Sequence, residues 1–237
     1  MTAITVYVVD DDAFIREVVA AALKGRPGVR VESFASGDAA LERVRSAKPD
    51  LVVLDVQMPE RDGLSIFQEM NAAVRSAPRV LFLTARDDAA HVARLREAGA
   101  VGVLTKPFDP STIADEILKF HGAQAPAPAQ DPRLGAVAAR FISTLAPSMA
   151  DIEKEWRLLE QEWRRDVAES LAARVHKLAG SAGLFKLRDL GRAARELESV
   201  LNRWLGGEAP DDEALVQTLG PAVEKLRAQI VAAVGSG

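Results

Sequence analysis

Leu51-Val52-Val53-Leu54-Asp55 is a short, wholly apolar run that ends on a carboxylate. Three further runs in the first half of the chain have the same form. Val6-Tyr7-Val8-Val9 leads into Asp10, Asp11 and Asp12, Val80-Leu81-Phe82-Leu83 ends at Thr84, and Val101-Gly102-Val103-Leu104 leads to Lys106. As parallel strands, these runs gather Asp10, Asp11, Asp55, Thr84 and Lys106 at the carboxyl edge of one sheet, where open α/β sheets bind ligands. Each of these residue types can hold phosphate or the cation that accompanies it.

Up to Phe120 the apolar runs alternate five times with segments of helical periodicity. Strands are predicted at 4–9, 29–34, 51–54, 79–83 and 101–104, and helices at 13–24, 37–47, 63–75, 88–98 and 110–120. Pro49, Pro78 and Gly99 fall between elements, where breakers belong. Short apolar strands alternating with helices imply a parallel sheet covered on both faces. Right-handed crossovers restrict it to a doubly wound form. The sequence 122–132 is rich in Ala, Pro and Gln, lacks periodicity and reads as a semi-rigid linker. The expected division is therefore one domain at 1–121, a linker at 122–132, and a second domain at 133–237.

The second domain reads as helix throughout. Its predicted helices cover 133–146, broken near Pro147, then a stretch through 164, then 166–183 with Asp166 as N-cap, 187–205, and about 211–234 with a bend at Gly220-Pro221. Leu190, Ala194, Leu197, Leu201 and Trp204 form the apolar stripe of the fourth. Short connections between amphipathic helices mean antiparallel neighbours, hence an all-α bundle of four-helix type.

Composition narrows the function classes. The chain has 237 residues, no cysteine and a formal net charge of −4. Disulfide frameworks and thiolate metal sites are excluded. Neither half carries the basic excess of a nucleic-acid binder, and no apolar stretch reaches the ~20 residues of a membrane span. The start shows no signal-peptide pattern. The expected compartment is cytoplasmic, with neither nucleic acid nor membrane as partner.

Three carboxylates at neighbouring strand ends repel one another unless a cation lies among them. An all-oxygen ligand set suits Mg²⁺, which shares phosphate oxygens. Phosphoryl transfer needs in-line positioning and neutralised equatorial oxygens, which Lys106 and the Thr84 hydroxyl can supply. Asp55, alone at the central strand, is the expected nucleophile. Asp12 is expected to cap the first helix.

Asp10-Asp11, Leu54-Asp55-Val56-Gln57-Met58-Pro59, Leu83-Thr84-Ala85 and Thr105-Lys106-Pro107-Phe108 together resemble the motif set of bacterial response-regulator receiver domains. The resemblance covers the first ~120 residues and implies a flavodoxin-like, five-stranded parallel fold. It implies that Asp55 accepts a phosphoryl group, and that Asp10, Asp11, Asp55 and the carbonyl of Gln57 hold Mg²⁺. Thr84 and Lys106 would contact the acyl phosphate and report it to the face formed by the helix at 88–98, the strand at 101–104 and the helix at 110–120, which also offers a weak-dimer surface. Many receivers have Tyr or Phe three residues before the lysine. Here that residue is Val103, so the rotating aromatic tied to switching is missing.

In the helix at 166–183, His176 stands one residue off the apolar stripe of Val167, Leu171, Val175 and Leu178. Ala172, Gly180 and Gly183 share its face, a row small enough for another active site to approach. Lys177 and Lys186 add positive potential. Val175-His176-Lys177-Leu178-Ala179-Gly180-Ser181-Ala182-Gly183 is similar to histidine phosphotransfer (HPt) domains. That similarity implies phosphorylation of His176 at Nε2 and clearance for the partner at Gly180. The commonest form of the motif has lysine where this chain has Ala179. His91 and His121 read as ordinary surface residues.

No Gly-rich ATP-binding region, kinase-type asparagine box or P-loop is visible. The expected function is a phosphorelay protein of two-component signalling, exchanging phosphoryl groups with histidine kinases and with other receiver or HPt domains. Two competing readings are weaker. One is a binding module that docks and regulates a kinase or receiver without transferring phosphate. The other is an aspartyl-phosphate hydrolase of the haloacid-dehalogenase type, which usually carries a second Asp where Gln57 stands.

Overall fold

The computed structural model describes residues 3–59, 61–73, 78–121, 132–207 and 211–235. It falls into two compact units, Met1–Val137 and Ala138–Gly237. Residues 122–131 of the expected linker lie outside the described residues, and the next residue, Pro132, already begins a helix.

In the first unit, strands β1 (Ile4–Val9), β2 (Val29–Phe34), β3 (Leu51–Asp55), β4 (Arg79–Thr84) and β5 (Gly102–Thr105) form one parallel sheet in the order β2-β1-β3-β4-β5. Helices α1 (Ala13–Lys24), α2 (Gly37–Ser46), α3 (Gly63–Ala73), α4 (Ala89–Glu97) and α5 (Ile113–Lys119) alternate with the strands. β3 is buried along its whole length, and β1 and β4 along most of theirs. This is the doubly wound, flavodoxin-like arrangement. β2, at an edge, is only partly buried, which matches its interspersed Arg30, Glu32 and Ser33. The strand order reverses between β1 and β3, so Asp10 and Asp55 flank the crevice that the reversal opens.

Local chemistry sets the helix starts. Asp12 accepts the Phe14 amide at 2.8 Å and caps α1, and Ser36 and Asp88 cap α2 and α4 in the same way. The α3 start is governed by close approach. Gly63 donates its N–H to Val56, and a Cβ at this residue would lie 2.1 Å from the Asp55 carbonyl oxygen. Only glycine lets α3 begin against the end of β3.

The second unit is all helix: α6 (Pro132–Gln161), α7 (Arg165–Leu184), α8 (Arg188–Leu205), a short α9 (Asp212–Ala214), a π-helical turn (Leu215–Leu219) and α10 (Gly220–Gly235). The four long helices close into a bundle. Glu155 on α6 meets Ser170 and Arg174 on α7, Arg165 on α7 reaches the Leu205 carbonyl at the end of α8, Lys225 on α10 pairs with Glu196 on α8, and Arg227 on α10 pairs with Glu153 on α6. α7 and α8 are antiparallel, since residue 165 faces 205 while 176 faces 198.

Two expectations for this unit are corrected. Pro147 does not break the helix, and α6 runs through it. Phe141, Leu145, Met149, Ile152, Trp156 and Leu159 are buried on both sides of the proline at helical spacing. Their burial, roughly 1.5–3 kcal/mol each, outweighs the ~3 kcal/mol cost of an interior proline. Asp166 is not the N-cap of α7. Arg164 holds that place with no side-chain cap, and Asp166 in the first turn instead pairs with the Arg164 guanidinium at 2.6 Å. At the expected bend, Gly220-Pro221, a π-helical turn (Leu215–Leu219) runs directly into α10. α7 ends with Lys186 at φ 61°, the amides of Lys186 and Leu187 bonding the carbonyls of Gly183 and Ala182. This is a Schellman closure with lysine in the left-handed place usually held by glycine.

Gly63→Ala is expected to destabilise the first unit by about 3 kcal/mol, because the clash is with backbone that cannot rotate away. All three tryptophans, Trp156, Trp163 and Trp204, lie in the second unit. In urea titration of the full chain the circular-dichroism transition should therefore shift while the tryptophan fluorescence transition stays in place.

Candidate functional site

Three carboxylates meet at the crevice between β1 and β3. One oxygen each from Asp10, Asp11 and Asp55 lie within 4.8 Å of one another. Asp10 and Asp55 are buried and Asp11 is half-buried. Asp10 Oδ1 accepts the Asp12 amide at 2.8 Å, and Asp55 Oδ1 accepts the Gln57 amide at 3.3 Å. The Lys106 Nζ spans the other oxygens, 2.7 Å from Asp10 Oδ2 and 3.1 Å from Asp55 Oδ2. Arg16 on α1 donates to the Asp10 carbonyl at 2.5 Å and so fixes the loop that follows β1.

The electrostatics follow from burial. Loss of water pushes the Asp10 carboxyl up to about 7, Lys106 opposes the rise, and Asp55 adds to it. Burial also raises Asp55, again against Lys106, with Asp11 adding to the rise. For Lys106, burial works against the charge, but the two carboxylates outweigh it and hold the ammonium above its ordinary range. One ammonium among three carboxylates leaves negative charge uncompensated. An all-oxygen cluster of this spacing fits a hard divalent cation.

Thr84 ends β4 one strand further along and is fully buried. Its carbonyl accepts the Lys106 amide at 2.7 Å, so the backbones carrying these two side chains are tied together. Its hydroxyl accepts the Arg86 amide at 3.1 Å and lies 3.2 Å from His91 Nε2. His91 was expected to be an ordinary surface residue, and that reading is overturned. Its ring turns inward from the first turn of α4 to the Thr84 hydroxyl. The expected ligand Gln57 is exposed and joins the cluster through its amide. Val103 is half-buried against the apolar cluster that contains Phe82 and Leu95.

In the second unit His176 is half-buried on α7, and its Nδ1 lies 2.7 Å from Glu198 Oε1 on α8. With Glu198 as acceptor, Nδ1 is the donor nitrogen, the tautomer in which Nε2 of a neutral ring is unprotonated. Lys177 is exposed, Gly180 and Gly183 are half-buried, and Ala172 is buried. Ala179 is turned into the bundle at 4% exposure. Glu198 was missed as a site residue although a signal was present. It sits one residue off the Leu190–Leu197–Leu201 stripe of α8, as His176 sits one residue off that of α7. In antiparallel neighbours such offsets meet.

Residues 6–118 match the family model of the response regulator receiver domain, and residues 137–232 match that of the Hpt domain. Among curated proteins, the chain is 40% identical over 106 residues to protein-glutamate methylesterase/protein-glutamine glutaminase 5 of Anaeromyxobacter dehalogenans, covering 44% of this chain and 29% of that protein. It is 38% identical over 112 residues to the transcriptional regulatory protein PdtaR of Mycobacterium tuberculosis, covering 47% of this chain and 54% of that one. The chain thus spans about half or less of these relatives. Among solved structures, the chemotaxis response regulator CheY4 of Vibrio cholerae is similar at 30% identity and a TM-score of 0.46, covering 50% of this chain and 99% of that one. With a receiver domain at 6–118 and an Hpt domain at 137–232, the chain belongs to the two-component phosphorelay proteins.

Proposed function

We propose that this protein accepts a phosphoryl group on Asp55 of the receiver domain and on His176 of the Hpt domain, and passes it between histidine kinases and other receiver or Hpt domains. The observation that carries the proposal is the Lys106 ammonium bridging Asp10 and Asp55 within the three-carboxylate cluster. The working division is a receiver at 1–121, a linker at 122–132 and an Hpt bundle at 133–237. The protein acts in the cytoplasm as a monomer or weak dimer, without nucleic acid or membrane as partner. Among the described residues no helix is long and apolar enough to cross a membrane.

Asp10, Asp11, Asp55 and the carbonyl of Gln57 would hold Mg²⁺, which when bound neutralises charge on the incoming phosphoryl group. In the first step an Asp55 carboxylate oxygen attacks phosphorus, and the bond to the leaving group breaks with its electron pair departing on that group. Lys106 and the Thr84 hydroxyl take up charge on the phosphoryl oxygens. In the second step the Nε2 lone pair of His176 attacks an acyl phosphate, forming an N–P bond and returning the carboxylate to the donor aspartate. Glu198 holds the Nδ1 proton, so the lone pair stays at Nε2 and the charge that develops on the ring is met by a carboxylate. Lys177 lends positive charge beside it, and Gly180 and Gly183 leave room for a partner.

Acetyl phosphate with Mg²⁺, followed by phosphosite mapping by mass spectrometry, tests the assignment. Label is expected on Asp55 and absent in Asp55→Asn. Label on His176 that vanishes in Asp55→Asn would establish transfer within the chain. Label confined to Asp55, with no transfer to His176 from any phosphorylated receiver, would favour the docking module. Mg²⁺ at saturating concentration is expected to raise the melting temperature of the receiver by several degrees. The rise should be lost in Asp11→Asn, as measured by calorimetry. Glu198→Ala is expected to slow phosphorylation of His176 about tenfold, the order seen when a histidine loses the group that sets its tautomer. A nitrogen-15 spectrum should then show the second tautomer appearing.

A further inference from the structure

The loop between β4 and α4 is closed by a circuit of four hydrogen-bonded links. The Thr84 hydroxyl accepts the Arg86 amide at 3.1 Å. The Arg86 guanidinium donates to Asp88 Oδ2 at 3.1 Å, and Asp88 Oδ1 accepts the His91 amide at 2.9 Å. The His91 ring then returns to the Thr84 hydroxyl at 3.2 Å. Asp88 is the N-cap of α4, so the circuit joins the end of β4 to the first turn of that helix. Thr84 is its only fully buried member, and its backbone is bonded to that of Lys106, whose ammonium lies on Asp55.

We propose that His91 is the positioning residue through which the state of Asp55 reaches α4, resting on the assignment of Asp55 as phosphoryl acceptor. The Thr84–His91 hydrogen bond belongs to the unphosphorylated receiver and is exchanged for one from Thr84 to the phosphoryl group. On this proposal His91 Nε2 accepts the hydroxyl's single proton, the oxygen itself accepting the Arg86 amide. Swinging the hydroxyl toward a phosphoryl group on Asp55 therefore loosens the His91 link. α4 then loses the tie that holds its first turn to the sheet. This route needs no rotating aromatic ring, and Val103 provides none. A phosphoryl group can shift the α4 equilibrium only by what it gains over the contact it displaces. The His91 contact therefore opposes phosphorylation by its own strength.

The test uses the full-length chain, Mg²⁺ and trifluoroberyllate as the phosphoryl mimic. The chain has three histidines, so side-chain imidazole NMR signals are assigned by substituting each in turn. The His91 ring signals are expected to shift on trifluoroberyllate binding, and Thr84→Val alone, without the mimic, should shift them in the same sense. His91→Ala should tighten trifluoroberyllate binding about fivefold, the size of one net hydrogen bond. In a Thr84→Val background the same substitution should change nothing. An unmoved His91 ring while the Asp55, Val56 and Gln57 amides respond would overturn the inference and leave the Asp55 assignment standing. So would an equal effect of His91→Ala in both backgrounds. No amide response at all would overturn the Asp55 assignment, and this inference with it.

Discussion

Burying carboxylates at the crevice between β1 and β3 is the constraint on which the receiver depends. Asp10 and Asp55 sit almost without water, and two such charges side by side are tolerated only with positive charge between them. Lys106 supplies one unit, reaching in from beyond β5, two strands away from Asp55's own strand. The remaining negative charge suits a cation, and burial, with Asp55 adding to it, raises the Asp10 carboxyl against the pull of Lys106. The surrounding contacts hold the charges in place: Arg16 on the Asp10 carbonyl, the Asp12 and Gln57 amides on carboxylate oxygens, and the side-chain-free start of α3 at Gly63.

The Hpt bundle meets a different requirement. On the proposed assignment His176 accepts a phosphoryl group, which requires a lone pair at one ring nitrogen while the other is held. The antiparallel pairing of α7 and α8 places Glu198 2.7 Å from Nδ1 of His176. The rest of the bundle keeps these helices in register through the α6–α7 and α8–α10 ion pairs and through aromatic contacts such as Phe141 stacked on Phe185. Here a single carboxylate meets one imidazole nitrogen. In the receiver, three carboxylates gather around one ammonium.

Much of this was legible from residue order. The five strands were readable because β-branched and aliphatic runs bounded by breakers have few alternatives in an α/β chain. Asp12 was readable as a cap because its place before an apolar periodic stretch is a local signal. Local signals failed where other contacts outweighed them. Pro147 sits inside a helix because an apolar stripe continues past it, and Asp166 turns to Arg164 instead of capping. Lys186 takes a left-handed conformation with no glycine to announce it.

The sequence by itself determined the order of elements, the switch between a sheet domain and a helical one, and the residue types brought to the sheet edge. Each of these follows from periodicity and from the polarity of strand ends, which are properties of short segments. Only the tertiary structure decided which side chains meet: Lys106 between two aspartates, Glu198 on His176, and His91 on Thr84. Such pairings join residues on different elements. Their distances depend on how strands register and helices pack, and no local pattern encodes that.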